Sequence, residues 1–173
     1  MVKLNQPIIK ISELEQVGYV VRDAEKSAES MWKHFGIGPW NIVTIPADFT
    51  EKMTYHGKPA RFGFKAAVTQ KKVGGFEIEL IEPLEGDSTY RDFLRDHGDG
   101  IHHLGWHKVN SLDAYNKTAR ALEQAGFACL MSGQSRGVAF GYFDTTRVLS
   151  TILEVLWIDA TIATPPPVIR VIP

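Results

Sequence analysis

The chain has little of what would place it outside ordinary globular chemistry. Only one of its 173 residues, Cys129, is a cysteine. An intrachain disulfide is therefore excluded, and no thiolate cluster can bind a metal; Cys129 is expected to pack as a small core residue. Basic runs are missing too: 19 Lys and Arg against 20 Asp and Glu give a net charge of -1. No row of cations is left to neutralise phosphates, so nucleic acid is not an expected partner. Long apolar runs are also lacking, since stretches such as Thr151–Ile158 are short and contain Glu154, well under what a bilayer span needs. Met1–Gln16 carries no apolar leader segment. No membrane association is expected, and the expected location is the cytoplasm.

What is present is the balance of a globular protein, with 44% hydrophobic and 23% charged residues. A chain of this length buries roughly 70% of its unfolded surface, enough for a core without staples. A metal in such a chain would serve chemistry rather than hold the fold.

An internal repeat organises the sequence. Glu15-Gln16-Val17-Gly18-Tyr19-Val20-Val21, followed by Asp23 and a helical pattern stopped by Gly36, is echoed by His102-His103-Leu104-Gly105-Trp106-His107-Lys108-Val109, followed by Ser111 and a helical pattern stopped by Gly126. Asp23 and Ser111 are good N-caps, and both glycines suit helix ends. Ala24, Ala28, Met31, Trp32 and Phe35 form one apolar stripe; Leu112, Tyr115, Ala119 and Leu122 form the other. Extended segments follow each helix: 40–45, 60–69 and 76–81, then 128–131, 138–143 and 151–157. Each half reads β-α-β-β-β. The fold class is therefore α+β, two βαβββ modules in one domain, at about 11–84 and 100–158. A short helix over 88–97, capped by Ser88 and stopped by Gly98, connects them. The proline-rich tail 164–173 cannot continue a helix or a central strand and is expected as an extended arm on a partner subunit. The polar stretch Asp48–Pro59 is expected as a loop able to cover the site.

The repeat also pairs polar residues. Gln16 aligns with His103, each preceding an apolar residue and a glycine, and Glu79 in Ile78-Glu79-Leu80-Ile81 aligns with Glu154 in Leu153-Glu154-Val155-Leu156. A lone Glu in a strand ordinarily faces solvent. Two at matched positions in apolar strands, where an unpaired charge costs several kcal/mol, call for compensation. Strand alternation lets both carboxylates point into one concave surface. A divalent cation held by Gln16, Glu79, His103 and Glu154 would compensate them. Three oxygens and one imidazole suit Zn, Ni, Co, Mn or Fe in an open site. By alternation His102 faces away from His103 and is expected to be structural. His97 and His107 have no partner that spacing identifies, and His34 and His56 read as surface or loop residues.

The repeat plan, with Gln16-Val17-Gly18-Tyr19-Val20-Val21-Arg22-Asp23, Phe76-Glu77-Ile78-Glu79-Leu80-Ile81-Glu82-Pro83-Leu84, Gly100-Ile101-His102-His103-Leu104-Gly105-Trp106 and Leu153-Glu154-Val155-Leu156, resembles the vicinal oxygen chelate (glyoxalase/bleomycin-resistance) superfamily over nearly the whole chain. Within it, Glu79–Leu84, Asp87-Ser88, Phe93-Leu94, Gly98, Gly100 and His102-His103 look most like methylmalonyl-CoA epimerases. The resemblance implies a cupped, half-open barrel sheet, a central divalent metal on the same four residues, and a homodimer. It implies a metal-dependent isomerase that abstracts a proton alpha to a carbonyl and stabilises the enediolate formed. The substrate would be a small molecule, acyl-CoA compounds among the candidates. Glu154 would carry the proton, with Lys65 opposite it if burial lowers its pKa. Two departures bear on this. Gln16 stands where epimerases usually have histidine, so the donor set matches glyoxalase I, and the alternative is a glyoxalase-like lyase or isomerase on an alpha-hydroxycarbonyl compound. The stretch Arg61–Val68 lacks the second carboxylate of the bacterial epimerases, and Lys65 stands nearest that position. A non-catalytic binding protein of the bleomycin-resistance kind is a further alternative, disfavoured by the complete donor set. An extradiol dioxygenase site, with two histidines and one carboxylate, is weaker still.

Overall fold

The computed structural model describes residues 6–49, 51–107, 109–163 and 166–173. Thr50 of the expected covering loop, Lys108 of the second repeat, and Thr164 and Pro165 of the tail lie outside them, as do residues 1–5. In the first half run β1 (Gln16–Val20), α1 (Ala24–Phe35), β2 (Trp40–Ile45), β3 (Lys52–Tyr55), β4 (Lys58–Pro59), β5 (Gly63–Thr69) and β6 (Glu77–Glu85). Helix α2 (Thr89–His97) then leads to β7 (Gly100–Trp106), α3 (Leu112–Gln124), β8 (Cys129–Ser135), β9 (Val138–Phe143), α4 (Thr146–Leu149), β10 (Ile152–Ile158) and β11 (Val168–Ile172).

All eleven strands form one open mixed sheet, ordered β11-β2-β5-β6-β1-β7-β10-β9-β8-β3-β4. The repeat is visible in that order: β2-β5-β6-β1 meets β7-β10-β9-β8 at the antiparallel β1–β7 seam. In each half the first strand pairs in parallel with the last, β1 with β6 and β7 with β10. A helix lies against each half, and the sheet forms a half-open barrel around the seam.

Local chemistry sets the helices. The Asp23 carboxylate accepts from the Lys26 amide at 2.9 Å, the Ser111 hydroxyl from the Ala114 amide at 3.1 Å, and the Ser88 hydroxyl from the Arg91 amide at 3.3 Å. Gly36 ends α1 in the left-handed region at φ 67°, a conformation that costs glycine nothing. Behind the first half, Ala24 and Ala28 pack with Trp40, Ala67 and Leu80; behind the second, Tyr115 and Leu122 pack with Phe143, Leu153 and Val155. A third cluster, with Val20, Phe62, Ile81, Tyr90, Met131 and Tyr142, joins the two halves. Cys129 is half-buried beside the second core.

Three expectations change here. The stripe on α1 narrows to Ala24, Ala28 and Met31, while Trp32 and Phe35 stand 45% and 77% exposed, because one helix face covers only a limited arc of sheet. The segment expected as a covering loop contains the hairpin β3–β4, and β3 pairs with β8 of the other half. Positive φ at His56 (47°) and Gly57 (73°) gives this hairpin its two-residue turn, and Met53 alternates inward to a buried position. The tail is extended, but β11 completes the chain's own sheet beside β2. Ile172 is buried in the α1-side core, and Arg170 binds Glu25 and Glu29 of α1 at 3.1 and 3.3 Å.

Candidate metal centre

The seam decides which side chains meet. Its register opposes Gly18 to His103 and Gln16 to Gly105, while the parallel neighbours bring Glu79 beside Gly18 and Glu154 beside Gly105. Two rows of residues result, Glu79-Gly18-His103 and Gln16-Gly105-Glu154. The glycines are the space between them. A Cβ on Gly18 would lie 1.9 Å from Cε1 of His103, and one on Gly105 would lie 2.6 Å from Nε2 of His107 and 2.9 Å from Cβ of Gln16. Gly18 thus gives room to His103 of the facing strand, and Gly105 to Gln16 of the facing strand and to His107 two residues on, a reason for them that spacing does not reveal.

The four paired residues come together around one atom. His103 Nε2 stands 3.1 Å from Gln16 Oε1, 3.6 Å from Glu154 Oε2 and 3.8 Å from Glu79 Oε2. Gln16, Glu79 and Glu154 line a cavity of about 110 Å³ with Phe64, Tyr90, Phe140, Tyr142 and Leu156. No basic side chain is among these lining residues. Among the described residues no group of three or more His, Cys, Asp and Glu side chains, as placed, could hold a metal ion. The donor set nonetheless fits a divalent cation. Ligands about 2.1 Å from a common ion lie roughly 3.0 to 3.4 Å from one another; Gln16 meets that spacing from His103 Nε2, and the two carboxylates stand a few tenths of an ångström beyond it.

Surrounding residues aim these donors. Glu77 accepts from the Gln16 amide nitrogen at 2.9 Å, which turns the amide oxygen toward His103. His107 lies 3.3 Å from Glu154 through Nε2, and its own backbone amide donates to Glu15. The Tyr90 hydroxyl donates to that of Tyr142 at 2.7 Å. His102 sits beside His103 with the two Nδ1 atoms 3.0 Å apart and the rings nearly perpendicular. The expectation that it faces away fails because the β1–β7 ladder passes from His103 opposite Gly18 to Ile101 opposite Tyr19, leaving His102 as an extra residue in a bulge. Glu77 and His107 were not readable as site residues. Glu77 shares Glu79's face two residues away, the one signal that could have found it; the partner of His107 is 47 residues distant.

The electrostatics separate the two carboxyls. Burial, reinforced by Glu154 and Glu77, pushes Glu79 well above the usual carboxylate range. Burial also acts upward on Glu154, but hydrogen bonds from His107 and Tyr142 and the charge of His107 outweigh it and hold the group low. Burial depresses His103 to about 4 against the upward pull of Glu154, leaving a neutral imidazole near neutral pH. His107 is raised, because its bond to Glu154 and the nearby charges overcome desolvation.

Lys65 is not brought into this group. It lies on the α1 side of β5, its ammonium 3.1 Å from Glu25 and 3.6 Å from Glu82, opposite in strand parity to Phe64 of the cavity wall. The Glu25 bond and the Glu82 charge raise its pKa although burial acts the other way. The expected lowering is therefore not found, and a protonated, paired lysine on the far face cannot act as the opposing base.

The pattern of the glyoxalase/bleomycin resistance protein/dioxygenase superfamily matches residues 15–143. The chain belongs to that superfamily. Solved structures agree on the vicinal oxygen chelate fold. A methylmalonyl-CoA epimerase from Mycobacterium tuberculosis is 19% identical, with a TM-score of 0.55 over 90% of this chain and 92% of that one. A methylmalonyl-CoA epimerase in complex with methylmalonyl-CoA and NH4+ is 16% identical, with a TM-score of 0.54 over 90% of this chain and all of the other. A Streptomyces coelicolor epimerase variant in complex with 2-nitronate-propionyl-CoA is 16% identical, with a TM-score of 0.52 over the same shares, 90% and 100%. At these identities the likeness concerns the fold. No curated protein sequence matches the chain. Among the described residues no helix is long and apolar enough to cross a membrane.

Proposed function

We propose that the chain is a divalent-metal-dependent isomerase that moves a proton alpha to a carbonyl, on a 2-substituted malonyl thioester or a related 1,3-dicarbonyl acid. The observation that carries this is the convergence of Gln16, Glu79 and Glu154, from the wall of a small cavity, on Nε2 of the buried His103, with no cationic side chain among the described residues of that wall. An anionic substrate needs positive charge there, and so do two neighbouring carboxyls. Gln16, Glu79, His103 and Glu154 would hold a metal of the Zn, Ni, Co, Mn or Fe group. When bound, it supplies a Lewis acid for two substrate oxygens and for the charge that develops on them.

The chain's own groups do the rest. Glu154, kept ionised by His107 and Tyr142, accepts the alpha proton while the C–H electron pair moves into the enediolate. Return of a proton to the opposite face of that carbon completes an epimerisation. Glu79 takes the opposing role in place of Lys65, because it is the other carboxyl in the cavity wall. Phe64, Phe140 and Leu156 shield this proton from bulk water. A homodimer is part of the reading, and the acyl-CoA compounds bound by two of the neighbours support an activated malonyl-type acid as substrate.

Gln16 favours a second reading, a glyoxalase-like lyase or isomerase acting on an alpha-hydroxycarbonyl compound with the same four donors. The two separate in heavy water. Metal-reloaded protein is expected to wash deuterium into C2 of methylmalonyl-CoA, and Glu154→Gln is expected to slow this by 10² or more. Turnover of the methylglyoxal-glutathione hemithioacetal without such wash-in would select the second reading. Inertness toward both, or a preparation that never retains one metal per chain, would leave a ligand-binding protein.

A further inference from the structure

The donor cavity adjoins a larger one. Phe64 and Phe140 line both the 110 Å³ cavity and a second one of about 340 Å³. That second cavity is walled by Ile45, Phe49, Val138 and Ile158 together with the two shared rings, and among the described residues Ser135 is its one wall residue bearing a hydroxyl, amide or charge. Its walls come from both halves of the sheet, from Met53 of the hairpin and from Ala160 and Ala163 beyond β10. Elements added to the repeated plan therefore help to shape it.

Size and polarity limit what can enter. A dry cavity of roughly 150 Å³ takes one benzene ring, so 340 Å³ takes about twice that, roughly a dozen carbons. A methyl group would leave most of it unfilled, forfeiting the contacts that apolar walls offer. Amides or phosphates would find a single hydroxyl among the described wall residues, and burying them without partners is costly. A branched substrate whose chelating oxygens reach the donors meets Phe64 and Phe140 with whatever else its alpha carbon carries.

We propose that the substrate of the metal site carries a bulky apolar substituent, an aryl or alkyl group of up to roughly a dozen carbons, which fills the cavity behind Phe64 and Phe140 while its paired oxygens face Gln16, Glu79, His103 and Glu154. This rests on the metal-dependent reading above and narrows its substrate class.

Alkyl hydroxamic acids test it, since acetohydroxamic, hexanohydroxamic and decanohydroxamic acids offer a cation the same two oxygens and differ only in chain length. Full-length protein loaded with cobalt would be titrated with each. The cobalt absorption spectrum reports the head group and calorimetry reports Kd. Affinity is expected to rise about four-fold per methylene buried, by at least a hundred-fold from acetyl to decanoyl. Ala160→Trp, at an exposed wall position, is expected to shrink that ratio at least ten-fold. Should this variant not fold, the wild-type series decides alone. A spectrum perturbed equally by all three acids at equal affinity would overturn the substituent pocket and leave the metal reading standing. Equal decanoyl affinity with and without cobalt would overturn the link between chain and head group. Failure to bind cobalt, or a cobalt spectrum that acetohydroxamic acid does not alter, would remove the metal reading and this inference with it.

Discussion

At the scale of single residues, the cluster is an array of buried groups that satisfy one another imperfectly. Glu79 is the clearest case: burial and the Glu154 charge both oppose its ionisation, and its carboxylate stands 3.8 Å from His103 Nε2. Glu79→Gln keeps the shape and removes that opposition. The metal-free variant is expected to melt about 2–4 °C above the metal-free parent for each kcal/mol gained, while losing most of its affinity for divalent ions. Calorimetric scans with and without metal check both halves. His102 is the second case. To offer Nε2 to a cation, His103 must carry its proton on Nδ1 and donate it to His102 Nδ1, 3.0 Å away. His102 is suited to accept because burial holds it neutral, well below the usual histidine range. His102→Phe is expected to weaken metal binding 10- to 100-fold, in line with loss of an outer partner of a metal-bound histidine, with unchanged stoichiometry in metal titrations.

At the scale of elements, the two helices are held by caps written in the sequence. Asp23→Ala removes the side-chain cap of α1 and is expected to cost about 1 kcal/mol, seen as a lower urea midpoint at pH 7. Asp23's pKa is depressed in the folded chain, chiefly by its hydrogen bonds with Lys26. Its contribution is therefore complete above the unfolded value of about 3.9 and disappears as pH falls through the folded value. The gap between variant and parent should shrink below that range, and urea titrations at a series of acidic pH values measure it. The hairpin β3–β4 is an element of another kind. Its residues belong to the first half of the chain, yet it extends the second half's edge, with Thr54 and Ser132 sharing a hydrogen bond at 2.7 Å.

At the scale of the whole molecule, the sheet is open, so its edges need covering. Strand β11 covers the β2 edge, buries Ile172 beside Trp40, and sets Arg170 on the same Glu25 that holds Lys65. A chain ending at Pro167 loses the buried Ile172 side chain, worth roughly 1.5–3 kcal/mol, and exposes the unpaired edge of β2. Lower stability in urea and concentration-dependent association by light scattering are the expected outcomes; a truncated chain as stable and as dispersed as the parent would show that β11 contributes little.

Much of this molecule was written locally. Caps, glycine stops and the duplicated strand motif depend on neighbours within a few residues, so both modules, their helices and the matched residues Gln16, Glu79, His103 and Glu154 could be read directly. Long-range geometry could not. The bulge at Gly18 and Tyr19 that turns His102 toward His103, the approach of Glu77 and His107, the removal of Lys65 to the helix side, and the pairing of β3 with β8 and of β11 with β2 arise only when distant strands choose a register. A strand's pattern tells which residues share a face, but its partner is selected by packing across the sheet, and that choice belongs to the folded chain.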